Sequence, residues 1–341
     1  MTGLNVDKNR LAEKYNQLNH SFDQKLIFHL GAEAGFFSEY NNMILAMLYC
    51  LKHRIRFTLF SADANFKYEK GWTDFFLPFC EEELNHYHAL YHRRRPLQLP
   101  KSSGNGLIRF VYNQIINPAR LQKNKLRDRL TRLRYFPETR SSYFTYELWD
   151  QFHSGYMQDT DFNIPELGIS GDVRDGSRVL IELTWRYQPE VEREIEKNIN
   201  TIELPAEYIG LHIRGGDKII ERELEEIETY IVKAESLSSC RTAFVLTDDY
   251  RVIIELQKNY SQWTFFTLCE KTSLGYYHNA FNKEDNAFKR DQHIKLFASL
   301  DLLTKAALFI GTYSSNIAVF LGMRMDRTKC FGVDFDDWRI S

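Results

Sequence analysis

The chain reads as an α/β protein with parallel sheets, on three observations. Short continuous apolar runs alternate with helical patterns along much of its length. Each run is four to six residues long, the size of a strand buried on both faces. Several runs end in glycine or in clustered polar residues, as strands feeding a ligand edge do.

Taken in order, residues 5–23 are a polar helical lead-in. Lys25–Leu30 (KLIFHL) reads as a strand, Gly31–Gly35 as a small-residue loop, Asn41–Lys52 (NNMILAMLYCLK) as a buried helix and Ile55–Phe60 (IRFTLF) as a second strand. Strand, glycine loop, helix, strand is the opening of an α/β unit. Residues 67–160 are rich in Tyr, Phe, Trp and Arg with weak periodicity, and helices are expected at Gly104–Ile116 and Asn124–Leu133. A helical stretch from Ser177 to Ile199 should be interrupted at Pro189. Tyr208–Ile213 follows as a strand, then a helix through Glu223–Lys233, a strand at Ala243–Leu246, a helix at Tyr250–Lys258 and a strand at Trp263–Thr267. Asp291–Ala306 is helical, Ala307–Ile310 a strand, and Ile317–Leu321 a helix entered through Gly311–Asn316 (GTYSSN). At 341 residues two domains are expected, 1–200 and 201–341.

Composition excludes several classes. A net charge of −2 gives no broad nucleic-acid footprint. The basic run Arg120–Arg140, with eight basic residues against two acidic, reads as a solvated helix face, the alternative being a basic surface near an anionic ligand or membrane. Five scattered cysteines form no CxxC and no metal-ligand spacing, so reduced thiols are expected and neither a zinc site nor a disulfide framework. No apolar run approaches 18 residues, and the polar N-terminus lacks a signal-peptide core. The expectation is a soluble cytoplasmic protein. The alternative, a Golgi-lumenal enzyme, would require an N-terminal anchor.

Ligands of open parallel sheets gather beyond the carboxyl ends of the strands, and three such ends are polar here: His212–Lys218, Thr247–Asp249 and Gly311–Asn316. Arg214 carries a permanent charge that can fork across two phosphate oxygens. Gly215 and Gly216 allow close backbone approach. Thr312, Ser314, Ser315 and Asn316 bring hydroxyls and exposed N–H groups to a helix start, a seat for a pyrophosphate. Neither GxxxxGK[ST] nor GxGxxG occurs. Singly, each feature has a plain structural reading: a satisfied histidine, a loop ion pair, a helix cap. Their joint appearance points to a diphosphate-bearing ligand.

The run His212-Ile-Arg214-Gly-Gly-Asp217-Lys218 resembles the H-x-R-R-x-D-K signature of the α-1,6-fucosyltransferases, the rhizobial chitin-oligosaccharide and N-glycan core type. Pro189–Lys197, Thr247-Asp248-Asp249 and Leu303–Asn316 resemble that family in the same order, so the likeness covers roughly residues 185–335. It implies a GT-B architecture, two Rossmann-like domains facing across a cleft, the second holding GDP-β-L-fucose. It also implies inverting, metal-independent transfer of L-fucose to an oligosaccharide hydroxyl, with no cofactor beyond the donor.

Carried over, His212 meets the guanine or its neighbourhood, Arg214 the β-phosphate and Ser315 the pyrophosphate. Gly215, Gly216, Asp248, Asp301, Thr312, Tyr313, Ser314 and Asn316 complete the donor side. Arg214, Lys218, Asp217 and Glu221 form the catalytic group, Glu221 being preferred to Glu223 as base. Two positions depart from the pattern. Gly215 replaces a second arginine, and Ser299 replaces an aspartate expected to read guanine, with Asp301 two positions away. These departures leave room for another linkage or another nucleotide sugar. A non-catalytic glycan- or nucleotide-binding relative would be expected to lose Arg214 or both glutamates, and the chain keeps them. The acceptor falls to the first half, whose Trp72, Phe75, Phe76, Tyr143, Trp149, Phe152 and Tyr156 either stack on sugar rings or fill the core.

Overall fold

The computed structural model describes residues 2–31, 34–84, 142–153, 155–215 and 225–340, together with Leu126. The helix expected at 104–116 and, Leu126 apart, that at 124–133 lie outside these residues, as does the basic run around Leu126.

The first apolar runs pair as predicted. Strands β1 (Gln24–His29) and β2 (Ile55–Phe60) lie parallel, Gln24 opposite Ile55 through His29 opposite Phe60. A two-residue strand, β3 (Tyr143–Phe144), joins β1 on its other side, giving the order β2-β1-β3. Helix α1 (Thr2–His20) guards the outer edge: the Asn19 side chain accepts from Phe57 N at 2.7 Å and donates to Phe57 O at 2.8 Å. Such closure blunts an exposed strand edge.

Helix α2 (Phe36–His53) connects β1 to β2 and is buried almost all round, because it packs on the first sheet and on other helices at once. It ends at Arg54 in the left-handed conformation, whose N–H closes back on Leu51 O. A short helix, α3 (Thr145–His153), follows β3, and a small antiparallel hairpin pairs β4 (Phe162–Ile164) with β5 (Ile169–Gly171). The stretch from 177 to 199 resolves into α4 (Val173–Thr184) and α5 (Pro189–Ile199). Proline stands at the first position of the second helix, where its missing N–H costs nothing.

The second sheet is five-stranded and parallel throughout: β6 (Ile209–His212), β7 (Thr242–Leu246), β8 (Thr264–Phe266), β9 (Leu308–Gly311) and β10 (Cys330–Gly332), in the order β10-β9-β6-β7-β8. Helices α6 (Ile227–Leu237) and α7 (Tyr250–Asn259) cover one face, where Ile209, Leu211, Val245 and Ile310 form a core with Tyr230, Ile231, Ile253 and Leu256. After a single-turn helix, α8 (His278–Phe281), come α9 (Asn286–Lys305) and α10 (Asn316–Arg324). They cover the face bearing Phe244 and Phe309. Gly210 must be glycine here, since a Cβ would stand 2.8 Å from Leu303 Cδ2.

The α9–α10 side is continuous with the first half. Phe36 meets Phe297 at 5.1 Å, Phe37 meets Phe320 at 4.9 Å and Trp185 meets Phe320 at 4.7 Å, all within one buried cluster. Trp72, Phe75, Phe76 and Phe152 belong to that core, fully buried, so they are unavailable for sugar stacking. Tyr143 and Trp149 are half-buried, and the Tyr156 side chain lies outside the described residues. Two contacts bring the carboxyl edges of the sheets together. Asn41 Nδ2, near the start of α2, donates to Asn316 O at the start of α10 (2.8 Å). Asn286 Nδ2, at the start of α9, donates to Tyr68 O beyond β2 (3.0 Å).

Candidate functional site

Strands β6, β7 and β8 progress to one side of the second sheet, while β9 and β10 progress to the other. Connections therefore leave β6 and β9 in opposite directions, which opens a crevice between their carboxyl ends. His212 closes β6 and the loop Thr312–Ser315 closes β9, so both flank this crevice.

His212 alternates with the apolar face of Leu211 and Ile213 and therefore points to the α9–α10 side. It is 3 % exposed, and its Nδ1 finds no hydrogen-bond partner among the described residues. Burial, reinforced by the neighbouring Arg214 charge, drives its pKa from the usual 6.5 down to about 3, so the ring is neutral near pH 7. Arg214 follows, half-buried. At Gly215 the backbone N–H donates to Asp248 Oδ1 at 2.7 Å, and a Cβ would stand 2.9 Å from Asp249 Cβ. Glycine is thus the residue this close approach permits.

The aspartates after β7 are occupied in holding loops. Asp248 accepts from Gly215 N through one oxygen and from Tyr276 N through the other (2.9 Å), clamping the β6 loop to the segment beyond β8. Asp249 caps α7 through Arg251 N and takes the Arg251 guanidinium on both oxygens. That bond holds its carboxyl below the ordinary range despite burial.

The loop after β9 divides between fold and ligand edge. Tyr313 is buried and its hydroxyl donates to Cys330 O at 2.9 Å, so its side chain is a core element. The amides of Tyr313 and Ser314 both donate to Asp334, at 2.7 and 2.9 Å, which takes them out of contention for an anion. Ser315 N donates to Thr312 O at 2.9 Å, and α10 begins at Asn316. Ser315 stands at the N-cap without capping: its Oγ is enclosed and has no partner among the described residues. The helix therefore presents its positive end beside a buried hydroxyl.

The structure brings His212, Arg214, Gly215, Asp248 and Thr312–Asn316 to one edge and leaves Asp301 elsewhere. Asp301 lies near the C-terminal end of α9, beside Leu302, whose carbonyl binds the Tyr208 hydroxyl just before β6, at the amino edge of the sheet. It pairs with Arg324 (3.1 Å) in the last turn of α10, about 13 Å of helix from Ser315. Ser299 turns its hydroxyl back on Lys295 O. Gly216, Asp217, Lys218, Glu221 and Glu223 lie outside the described residues. Two residues at this edge escaped the sequence reading. Asp334 follows a three-residue strand too short to show a period. Asn41 had a readable signal, since two adjacent asparagines in a buried helix are disfavoured there. Among the described residues no group of three or more His, Cys, Asp or Glu is placed to hold a metal, and no helix is long and apolar enough to cross a membrane.

Fold and site thus define an α/β protein of two parallel sheets, with polar residues gathered at the switch point of the second. No family model matches the chain, and no curated protein is similar enough in sequence to align with it. Among solved structures it is similar to the fucosyltransferase NodZ from Bradyrhizobium, at 12 % identity over 89 % of this chain and 93 % of that one, with a TM-score of 0.48. It is also similar to POFUT1 in complex with GDP-fucose, at 12 % identity over 89 % and 94 % of the two chains, with a TM-score of 0.46.

Proposed function

We propose that the chain is a glycosyltransferase moving L-fucose from GDP-β-L-fucose to a glycan hydroxyl, with inversion, without a metal, and in α-1,6 linkage. The observation that carries the reading is the start of α10. A helix N-terminus without a side-chain cap sits at the switch point, with the Ser315 hydroxyl buried and unbonded beside it. A fold holds such a group at a cost of about 1–3 kcal/mol unless a partner arrives, and an anion such as a diphosphate is the partner a helix start favours. The choice of GDP-fucose among diphosphates comes from the likeness of His212–Lys218 to the fucosyltransferase signature.

In this reading the acceptor oxygen attacks the anomeric carbon as the bond to the β-phosphate oxygen breaks. GDP leaves with the electron pair, and Glu221 takes the acceptor proton. Arg214 meets the charge growing on the departing phosphate, because its own charge cannot be lost. A neutral His212 can donate or accept one hydrogen bond near the base. Asp217 and Lys218 flank the glutamate. Soluble, cytoplasmic action on an oligosaccharide belongs to the same reading.

A second donor stays in view because Asp301 is at the far edge and Ser299 faces its own helix, so neither supplies the acid expected to read guanine. A thermal-shift panel of GDP-fucose, GDP-mannose, UDP-sugars and GDP decides between them, since a ligand of the native state raises its stability. GDP and GDP-fucose should give the largest shifts, and a stronger UDP response would refute the donor. Transfer should persist in excess EDTA. Glu221→Gln should remove it with GDP binding retained.

A further inference from the structure

We propose that Asn41, on the first half of the chain, is a donor-binding residue that accepts a hydrogen bond from a hydroxyl of the transferred sugar. The inference rests on the donor reading above and adds a residue that neither the sequence signature nor the strand ends contain.

The geometry fixes the orientation of its amide. Asn41 lies 2.8 Å from a backbone carbonyl, that of Asn316, which can only accept. The nitrogen must therefore face that carbonyl, and Oδ1 must face away from it. Oδ1 is enclosed, in a residue 5 % exposed, and has no partner among the described residues. Ser315, immediately before Asn316, carries the other enclosed and unbonded oxygen at this helix start.

These two oxygens ask for different partners. The α10 start and the Ser315 hydroxyl offer donors and suit an anion. Oδ1 offers only lone pairs and is matched by a hydroxyl, not by a phosphate. A hydroxyl-bearing group next to an anionic one is a sugar phosphate, so Asn41 should sense the sugar and Ser315 the diphosphate. Because α2 and α10 come from opposite halves, the donor site would be completed across the junction.

Isothermal titration of the full chain with GDP and with GDP-β-L-fucose tests this. Asn41→Ala should weaken GDP-fucose about tenfold and leave GDP unchanged, whereas Ser315→Ala should weaken both. Should Asn41→Ala fail to fold, Asn41→Ser reads the same split with a smaller loss of side chain. Equal losses for both ligands would show that Asn41 acts through Asn316, and no loss for either would show that water alone satisfies Oδ1. Either result overturns this role and leaves the donor reading standing. Failure of the wild type to bind GDP would overturn both.

Discussion

The central strand of each sheet ends in a buried histidine, and the two are held differently. His29, at the end of β1, binds the Asp63 carboxylate at 2.6 Å through Nε2, packs edge-on against Phe60, and donates its backbone N–H to Thr145. His212, at the end of β6, has Arg214 as its charged neighbour, and among the described residues no carboxylate pairs with it. A carboxylate partner fixes the first ring as part of the fold. Burial, reinforced by the Arg214 charge, keeps the second ring neutral. The same residue type at equivalent ends of two parallel sheets thus separates a fastening from what the proposed function makes a recognition element.

The largest expected effect lies on the recognition side. On the proposed function, Arg214→Ala should lower fucosyl transfer by about a thousandfold with the melting temperature little changed, measured by turnover and calorimetry. Turnover near wild type would end the distinction between the two edges.

Acid comes next. His212 and the core residue His293 have native pKa values lowered by burial to about 3 and about 4, against 6.5 unfolded. The unfolded chain binds protons first, so their stabilisation is complete above pH 6.5 and is lost as pH falls toward 4 and 3. Denaturant titrations across that window should lose about 1.4 kcal/mol per pH unit for each histidine, and His212→Gln should remove one such contribution. A slope unaltered in the variant would refute the burial argument.

A smaller effect is expected at Asp334. Asp334→Ala strands two part-buried loop amides, should cost about 1–2 kcal/mol, and on the proposed function should raise the donor KM more than the acceptor KM. Equal changes in both would mark Asp334 as purely structural. The smallest change is expected on the fastening side. Asp63→Asn, at a partly exposed pair, should cost about 1 kcal/mol or less and leave GDP affinity intact, so an altered affinity would blur the two histidines' roles.

Much of the fold was legible because buried parallel strands are short apolar runs with polar ends. Both strands of the first βαβ opening and β6, β7 and β9 fell within about a residue of their expected places. Helix starts were harder. Helix α9 begins at Asn286 rather than Asp291 because Asp285 caps it through Phe288 N (2.8 Å), a polar signal ahead of the apolar pattern. Helix α2 begins at Phe36, where Gly35 leaves no capping side chain to read. Strands β3, β4, β5 and β10 span two or three residues, too few to show a period.

The placement of the candidate residues at one sheet edge was legible where polar groups sit on consecutive residues at a strand end, as at His212–Gly215 and Thr312–Asn316. Asp301 shows the limit of nearness in sequence, because a 20-residue helix carries its last turn to the opposite edge of the sheet. Asn41 and Asp334 show the converse. Their partners are 275 and about 20 positions away in the chain, so only folding reveals what they touch.

The aromatic cluster that joins α2, α9 and α10 bears on how this chain could be engineered. Severed near residue 200, each piece would expose a sheet of rings that now face one another, and neither would make a serviceable module. Exchanging halves between related proteins would fail at this seam unless Phe36, Phe37, Trp185, Phe297 and Phe320 travel together. Changes to surface loops leave this seam intact, whereas recombining the halves does not.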